Sequence, residues 1–323
     1  MENVITNKLK AGFKNLAIVW VLILLIIVIA LIEPLFLSPL NIITILRQVT
    51  IISILTMGIT FVLITGGIDL SVGSNLAFTS VVVASISKID GMPLIVAIFM
   101  AIIFGGLLGV INGIGVAYGN VPAFIMTLGT MISWRGAAML ITRATPIIGL
   151  PESFMGIAGT DIFSIGGVKV PSMVLFFFAV LFISLFLLKK TVYGKWIYSV
   201  GGSEIAARYS GIKTKRVIMS VYIVSGLFAG LAGVLMTSRL NSGISTVGET
   251  FALDGISAAV IGGVSLSGGV GKVWRAVIGT LIIGTLQNGL HIMTISPFVQ
   301  SIIQGAIIVV AVFVDMNMKR VRT

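Results

Sequence analysis

Long apolar runs alternate with short polar stretches along this chain. The runs cover residues 16–32, 42–65, 70–87, 93–117, 121–142, 171–188, 217–238, 251–263, 274–292 and 297–314. A helix needs about 20 apolar residues to cross a bilayer, and most of these runs meet that length. Helices are the expected element, because an open strand leaves its backbone groups unsatisfied in lipid. The pattern predicts an all-α polytopic membrane protein with about ten transmembrane helices, some short or broken, in one domain spanning residues 1–323. The run at 251–263 is short for a bilayer and is read as a short crossing or a broken helix buried within protein. The run at 16–32 ends without a small-residue cleavage site, so it is read as a span and not as a signal peptide.

Composition narrows the class further. Of 323 residues, 57% are hydrophobic and 10% charged, against about 25% charged in soluble domains. The net charge of +11 does not point to nucleic acid, because the basic residues cluster at the ends of apolar runs. Threading ten spans from a cytoplasmic N-terminus puts 15 of the 21 Lys and Arg on inner segments, which predicts both termini inside. There is no cysteine, and His291 is the single histidine. No thiolate or histidine metal cluster and no Ser-His-Asp triad can therefore be assembled from this sequence. The expected protein is neither an enzyme nor a cofactor carrier.

The most strongly charged stretch is 189–216, KKTVYGKWIYSVGGSEIAARYSGIKTKR, with seven basic residues and one acid. It reads as a cytosolic loop holding a small helix. Gly201 and Gly202 break the chain, Ser203 can N-cap, and Glu204 stands in the first turn where the helix dipole favours an anion. Arg208 follows four residues on, in ion-pairing register, and Gly211 can supply a left-handed C-terminal cap. This loop is either a handle for a cytosolic partner or a solvated connector.

Other polar positions stand out against the apolar background. Asp69 is the sole carboxylate at the junction of the second and third runs, and it reads either as an N-cap or as a gate or sugar-hydroxyl acceptor. Ser71, Ser74, Asn75 and Asn112 are candidate contributors to the same path. Arg135, inside the fifth run, must face protein or a water-filled cavity. Gln287 and Asn288 suit interhelical hydrogen bonds or pathway contacts, and Glu249 and Asp254 read as helix-start charges near the outer surface. Gly105, Gly109 and Gly113 form a double GxxxG on one helix face, repeated by Gly226 and Gly230, which predicts close helix packing. Residues 66–74 and 262–270 share five of nine positions at an offset of 196, which reads either as an internal echo of the kind seen at corresponding broken segments of transporter halves or as a chance alignment of Gly-rich sequence. The segment Gly268–Lys272 lacks the Walker spacing, with Leu266 and Val273 at two required positions, so no ATP hydrolysis is expected here.

With GGIDLSVGS, GGSEIAARYSGI, ETFALDGISAAVIGGVSLSGGVG and VDMNMKR in one order, the chain resembles the permeases of bacterial ribose/xylose/galactose-class ABC importers over nearly its whole length. The resemblance implies a permease domain in the bacterial cytoplasmic membrane that works as a homodimer. It also implies a cytosolic ATP-binding subunit, which binds ATP and Mg, and an extracytoplasmic sugar-binding protein. By the same resemblance the loop 189–216 is the coupling segment, and Ser203, Glu204, Ala207, Arg208 and Gly211 carry over as its residues. Ser203 stands where family members commonly have Asn, and both are good caps. The implied cargo is ribose or a related pentose, with hexoses, nucleosides and sugar-like signalling molecules as alternatives. An ion-coupled secondary transporter would want several carboxylates deep in the spans, and only Asp69 qualifies.

Overall fold

The computed structural model describes residues 2–165 and 168–320, so Arg322 of the basic tail lies outside the described residues. The first half runs α1 (Glu2–Ile32), a 3-10 turn (Pro34–Leu37), α2 (Pro39–Ile64), α3 (Val72–Ser87), α4 (Leu94–Ala117) and α5 (Ala123–Thr142). After α6 (Glu152–Gly159) and a hairpin of β1 (Asp161–Ile165) and β2 (Val168–Pro171) come α7 (Met173–Lys190), α8 (Val192–Gly202) and α9 (Glu204–Tyr209). The chain closes with α10 (Thr214–Leu240), α11 (Phe251–Ile261), α12 (Val273–Ile292) and α13 (Pro297–Arg320). Among the described residues α2, α4, α5, α7 and α10 are long and apolar enough to cross a membrane. Ala17–Ile32, Val72–Ser87, Phe251–Ile261 and Pro297–Val310 are shorter apolar helical stretches. The protein is therefore a polytopic, mostly helical membrane protein.

The hairpin departs from the all-α expectation. Its strands pair antiparallel, Ile165 opposite Val168 and Ser164 opposite Lys169. Each strand is too short to register as a membrane-spanning apolar run.

Helix α2 lies at the centre, and every residue from Val49 to Ile64 is buried. Ser38 caps its start by accepting from the Asn41 N–H at 3.4 Å, and Pro39 suits the first turn. At that end Asn41 and Asn288 exchange two amide hydrogen bonds of 2.9 Å, joining α2 to α12. Helix α4 packs along α10 through small residues. A methyl built on Gly109 would lie 3.0 Å from Ile223 Cα, and one on Gly105 would lie 2.8 Å from Gly230 Cα. Gly113 faces Met219 in the same way. Only glycine permits backbones this close, and dispersion contacts then replace the hydrophobic drive that lipid does not supply.

Two ends of the bundle can be told apart by their contacts. At one, Lys88 donates to the Ile148 carbonyl at 3.0 Å, and the Ile147 and Gly243 backbones exchange bonds of 2.9 Å. At the other, Tyr118 lies 5.6 Å beneath the Lys215 ammonium, and the loops after α2, α8 and α11 converge. Between these ends α11 is a half-length element. Gly255 faces Thr56 and Ile59 of α2, so the helix begins level with the middle of α2. Residues 243–250 descend to that level without regular structure, and the Arg135 guanidinium holds them by donating to the Ser245 and Val247 carbonyls at 2.6 and 2.8 Å. Irregular backbone is tolerated at this depth because protein surrounds it. Asp254, expected near the outer surface, is 2% exposed in the first turn of α11. The charge that looked terminal in sequence sits inside because the preceding leg is already buried.

Candidate functional site: the α8–α9 surface and the junctions beneath it

The basic loop carries two helices where the sequence reading expected one. Thr191 caps α8 by accepting from the Gly194 N–H at 3.2 Å, and Gly194, Ile197 and Val200 form its buried face. Their spacing of three was the available signal, hidden by the surrounding Lys, Trp and Tyr residues. Gly201 and Gly202 are the last two residues of α8 and so belong to a helix. Tyr193 bonds Ser220 at 2.8 Å, and Tyr198 donates to the Gly271 carbonyl at 2.8 Å. Burial raises the pKa of both phenols.

Helix α9 follows at once. Ser203, extended at φ −163°, caps it by accepting from the Ala206 N–H at 3.2 Å. Such a cap contributes about 1 kcal/mol. Glu204 accepts from Arg208 at 3.2 Å and from the Thr214 hydroxyl at 3.0 Å, so one carboxylate ties α9 to itself and to the start of α10. Both charged side chains are well exposed, so the ion pair contributes only a few tenths of a kcal/mol and mainly fixes orientation. Ala207 is the buried contact of this helix, and Gly211 turns the chain at φ +83°. Sequence reasoning missed Thr214 and also the outward pair Ile205 and Tyr209, 71% and 89% exposed. Four residues apart, they stand on one helix face.

Beneath this surface three glycine-containing segments meet. The Gly269 N–H donates to the Ile64 carbonyl at 2.8 Å. Gly201 lies against that same carbonyl, and a methyl on Gly268 would stand 2.8 Å from both Gly66 N and Gly201 O. The two echoing stretches, 66–74 and 262–270, therefore touch each other, and the end of α8 rests on the second and on Ile64, the last residue of α2.

Asp69 sits in a closed network one step further in. Its Oδ1 accepts from the Ser71 N–H (3.0 Å) and hydroxyl (2.6 Å), and its Oδ2 accepts from Ser225 at 2.8 Å. Ser71, not Asp69, is the N-cap residue of α3, and the carboxylate braces it from two residues before. Asn112 donates to the Ser71 hydroxyl at 2.7 Å and accepts from Thr130 at 2.7 Å. Ser74 donates to the Ser71 carbonyl, and Asn75 donates to the Gly105 carbonyl at 3.1 Å. All five candidate path residues are thus buried in one neighbourhood joining α3, α4, α5 and α10, and both oxygens of Asp69 are occupied. Among the described residues no group of three or more His, Cys, Asp or Glu could hold a metal ion.

Comparison with known proteins fits this architecture. The family model described as branched-chain amino acid transport system / permease component matches residues 41–312. The ribose import permease protein RbsC of Bacillus subtilis (strain 168) is 43% identical over 298 residues, covering 91% of this chain and 90% of that one. Its counterpart from Haemophilus influenzae is 41% identical over 296 residues, covering 91% and 90%. The xylose transport system permease protein XylH of Escherichia coli (strain K12) is 35% identical, covering 96% and 95%. No solved structure matches. The chain belongs to this family of transport-system permease components.

Proposed function

We propose that this protein is the membrane permease of an ATP-driven importer that carries ribose or a related pentose into the bacterial cytoplasm. The observation that carries the reading is the 43% identity to a ribose import permease over nine-tenths of both chains. The capped, outward-facing α9 supports the mode of drive. Its Ile205 and Tyr209 offer an apolar anchor to a cytosolic ATP-binding subunit, and Arg208, Lys213 and Lys215 surround that anchor with positive charge. Both termini and the α8–α9 surface are cytoplasmic in this reading, with ten crossings, α12 and the half-length α11 included. Two copies form the conduit, and a soluble sugar-binding protein delivers cargo at the opposite face.

ATP closure moves α9, α8 moves with it, and Gly201 pushes on the ends of α2 and the 262–272 loop together. The Asp69 network beside them acts as the inner latch, holding α3, α5 and α10 in one arrangement at a time. High affinity resides in the soluble partner, so transport here requires only weak contacts.

The likeness to a D-allose permease, 37% identical over 87% of this chain, favours a hexose as the second reading. The deciding experiment reconstitutes the permease with its ATP-binding and sugar-binding partners in vesicles. ATP-dependent uptake of labelled D-ribose in preference to D-xylose and D-allose is expected. Uphill uptake by the permease alone, without a nucleotide-hydrolysing partner, would overturn the reading.

A further inference from the structure

A cavity of about 450 Å³ lies between α2, α12 and α13, with α11 at its floor. That size falls within the roughly 300–1,000 Å³ of small-molecule sites. Its polar wall is unusual for a membrane interior. Gln287 donates to Asp254 Oδ1 at 3.1 Å, the Gln304 amide also reaches that oxygen, and Thr250 donates to Oδ2 at 3.2 Å. Gln48 donates in turn to the Gln287 carbonyl at 3.1 Å. Gln48, Gln287 and Gln304 line the cavity, and Ile283, Ile303 and Ile307 provide apolar wall. Asp254 stands one residue from Gly255, which faces Thr56 near the middle of α2. A charge at that depth is costly unless it has work or a partner, and here its partners are three neutral donors from three segments.

We propose that this amide-lined cavity is the station at which the sugar pauses between the delivery face and the inner latch. The assignment rests on the import reading above and adds where the cargo is held. The chemistry selects a neutral polyol. Two carboxamides fastened to one carboxylate keep further N–H donors and carbonyl acceptors, matching hydroxyls that both give and take. The isoleucine wall suits the C–H face of a furanose or pyranose ring. Arg239 also lines the cavity and Asp254 stands behind the amides, so the nearby charges are of opposite sign and favour neither a net anion nor a net cation. Midplane placement at an interrupted helix agrees with the position transporters use for their cargo. It also fits weak binding, since Gln287 and Gln304 already spend part of their hydrogen-bonding capacity on Asp254.

The absence of cysteine from the chain gives a direct test in the reconstituted importer with both partners. Ser301 is an exposed residue on α13 that lines the cavity, so Ser301→Cys places a lone thiol at its wall. A methanethiosulfonate reagent should cut ATP-driven D-ribose uptake by this variant by about tenfold while leaving the parent importer unaffected, and D-ribose should slow the labelling. Gln48→Leu and Gln304→Leu, both at wall positions, should each raise the sugar concentration for half-maximal uptake by about tenfold, the cost of one hydrogen bond to the cargo. Labelled Ser301→Cys importer running at the parent rate, or parent-like concentration dependence in both wall variants, overturns the station. If the parent takes up no pentose with ATP, the import reading falls and the station with it. Parent uptake beside indifferent variants sinks the station alone.

Discussion

The Gly269 N–H donates to the Ile64 carbonyl at 2.8 Å, and Gly201 of α8 lies against that same carbonyl. Backbone therefore meets backbone where α8 touches the bundle, with no side chain between them to absorb a displacement. Gly202, one residue on, has open space where a side chain would stand. Gly201→Ala should lower ATP-driven uptake in vesicles by about tenfold or more, since overpacking here costs about 1–3 kcal/mol. Gly202→Ala should stay near the parent rate. Equal effects from the two would show that the close approach carries no motion.

Glu204 holds both Arg208 and Thr214. Glu204→Lys should leave the membrane domain folded but separate transport from hydrolysis, so that nucleotide turnover by the complex continues while sugar uptake is lost. Glu204→Gln, which keeps an acceptor for Thr214, should retain more coupling. The measurement is the ratio of sugar moved to ATP hydrolysed, and normal uptake by the Lys variant would remove the coupling role.

Ile205 and Tyr209 present the exposed apolar face of α9. Truncating interface anchors of this kind costs about 2 kcal/mol or more. Ile205→Ser with Tyr209→Ser should therefore reduce co-purification of the ATP-binding subunit by at least about thirtyfold in affinity. Melting of the permease alone should be unchanged, because neither side chain is buried.

Close packing of α4 on α10 predicts a different outcome for Gly109. Gly109→Val pushes against the Ile223 backbone and should lower the melting temperature of the detergent-solubilised protein. Gly129→Ala, which meets nothing within 4 Å, should leave it unmoved.

Asp69 accepts three hydrogen bonds in a buried setting. Asp69→Ala strands those donors, and a buried unpaired group costs about 1–3 kcal/mol, so both stability and uptake should fall. Asp69→Asn keeps one carbonyl acceptor and should retain more stability than Ala, as thermal melting in detergent would show.

Much of this architecture was legible in the residues because lipid imposes length and apolarity directly. The α9 cap, its ion pair and the Gly211 turn follow from local rules that tertiary contacts do not override. The facing of Gly105 and Gly109 on Gly226 and Gly230 could be anticipated as close packing, although not which helices would meet. What stayed hidden depends on three-dimensional neighbours. The burial of Asp254 depends on an irregular leg held by Arg135. The role of Gln287 depends on Gln48 and Gln304, distant in sequence. Helix α8 was masked because a three-residue spacing of small and apolar positions is weak in a loop with eight charged residues, and the hairpin at 161–171 was masked by its shortness.

Helix α2 is buried on every side from Val49 to Ile64 and is fastened at one end by the Asn41–Asn288 pair. A rod without a free face can neither roll about its long axis nor slide without dislodging each neighbour at once. In the proposed cycle a push from Gly201 on the end of α2 would therefore be passed to all of its neighbours together. Its sixteen enclosed positions are where a change of side-chain volume is least forgiven.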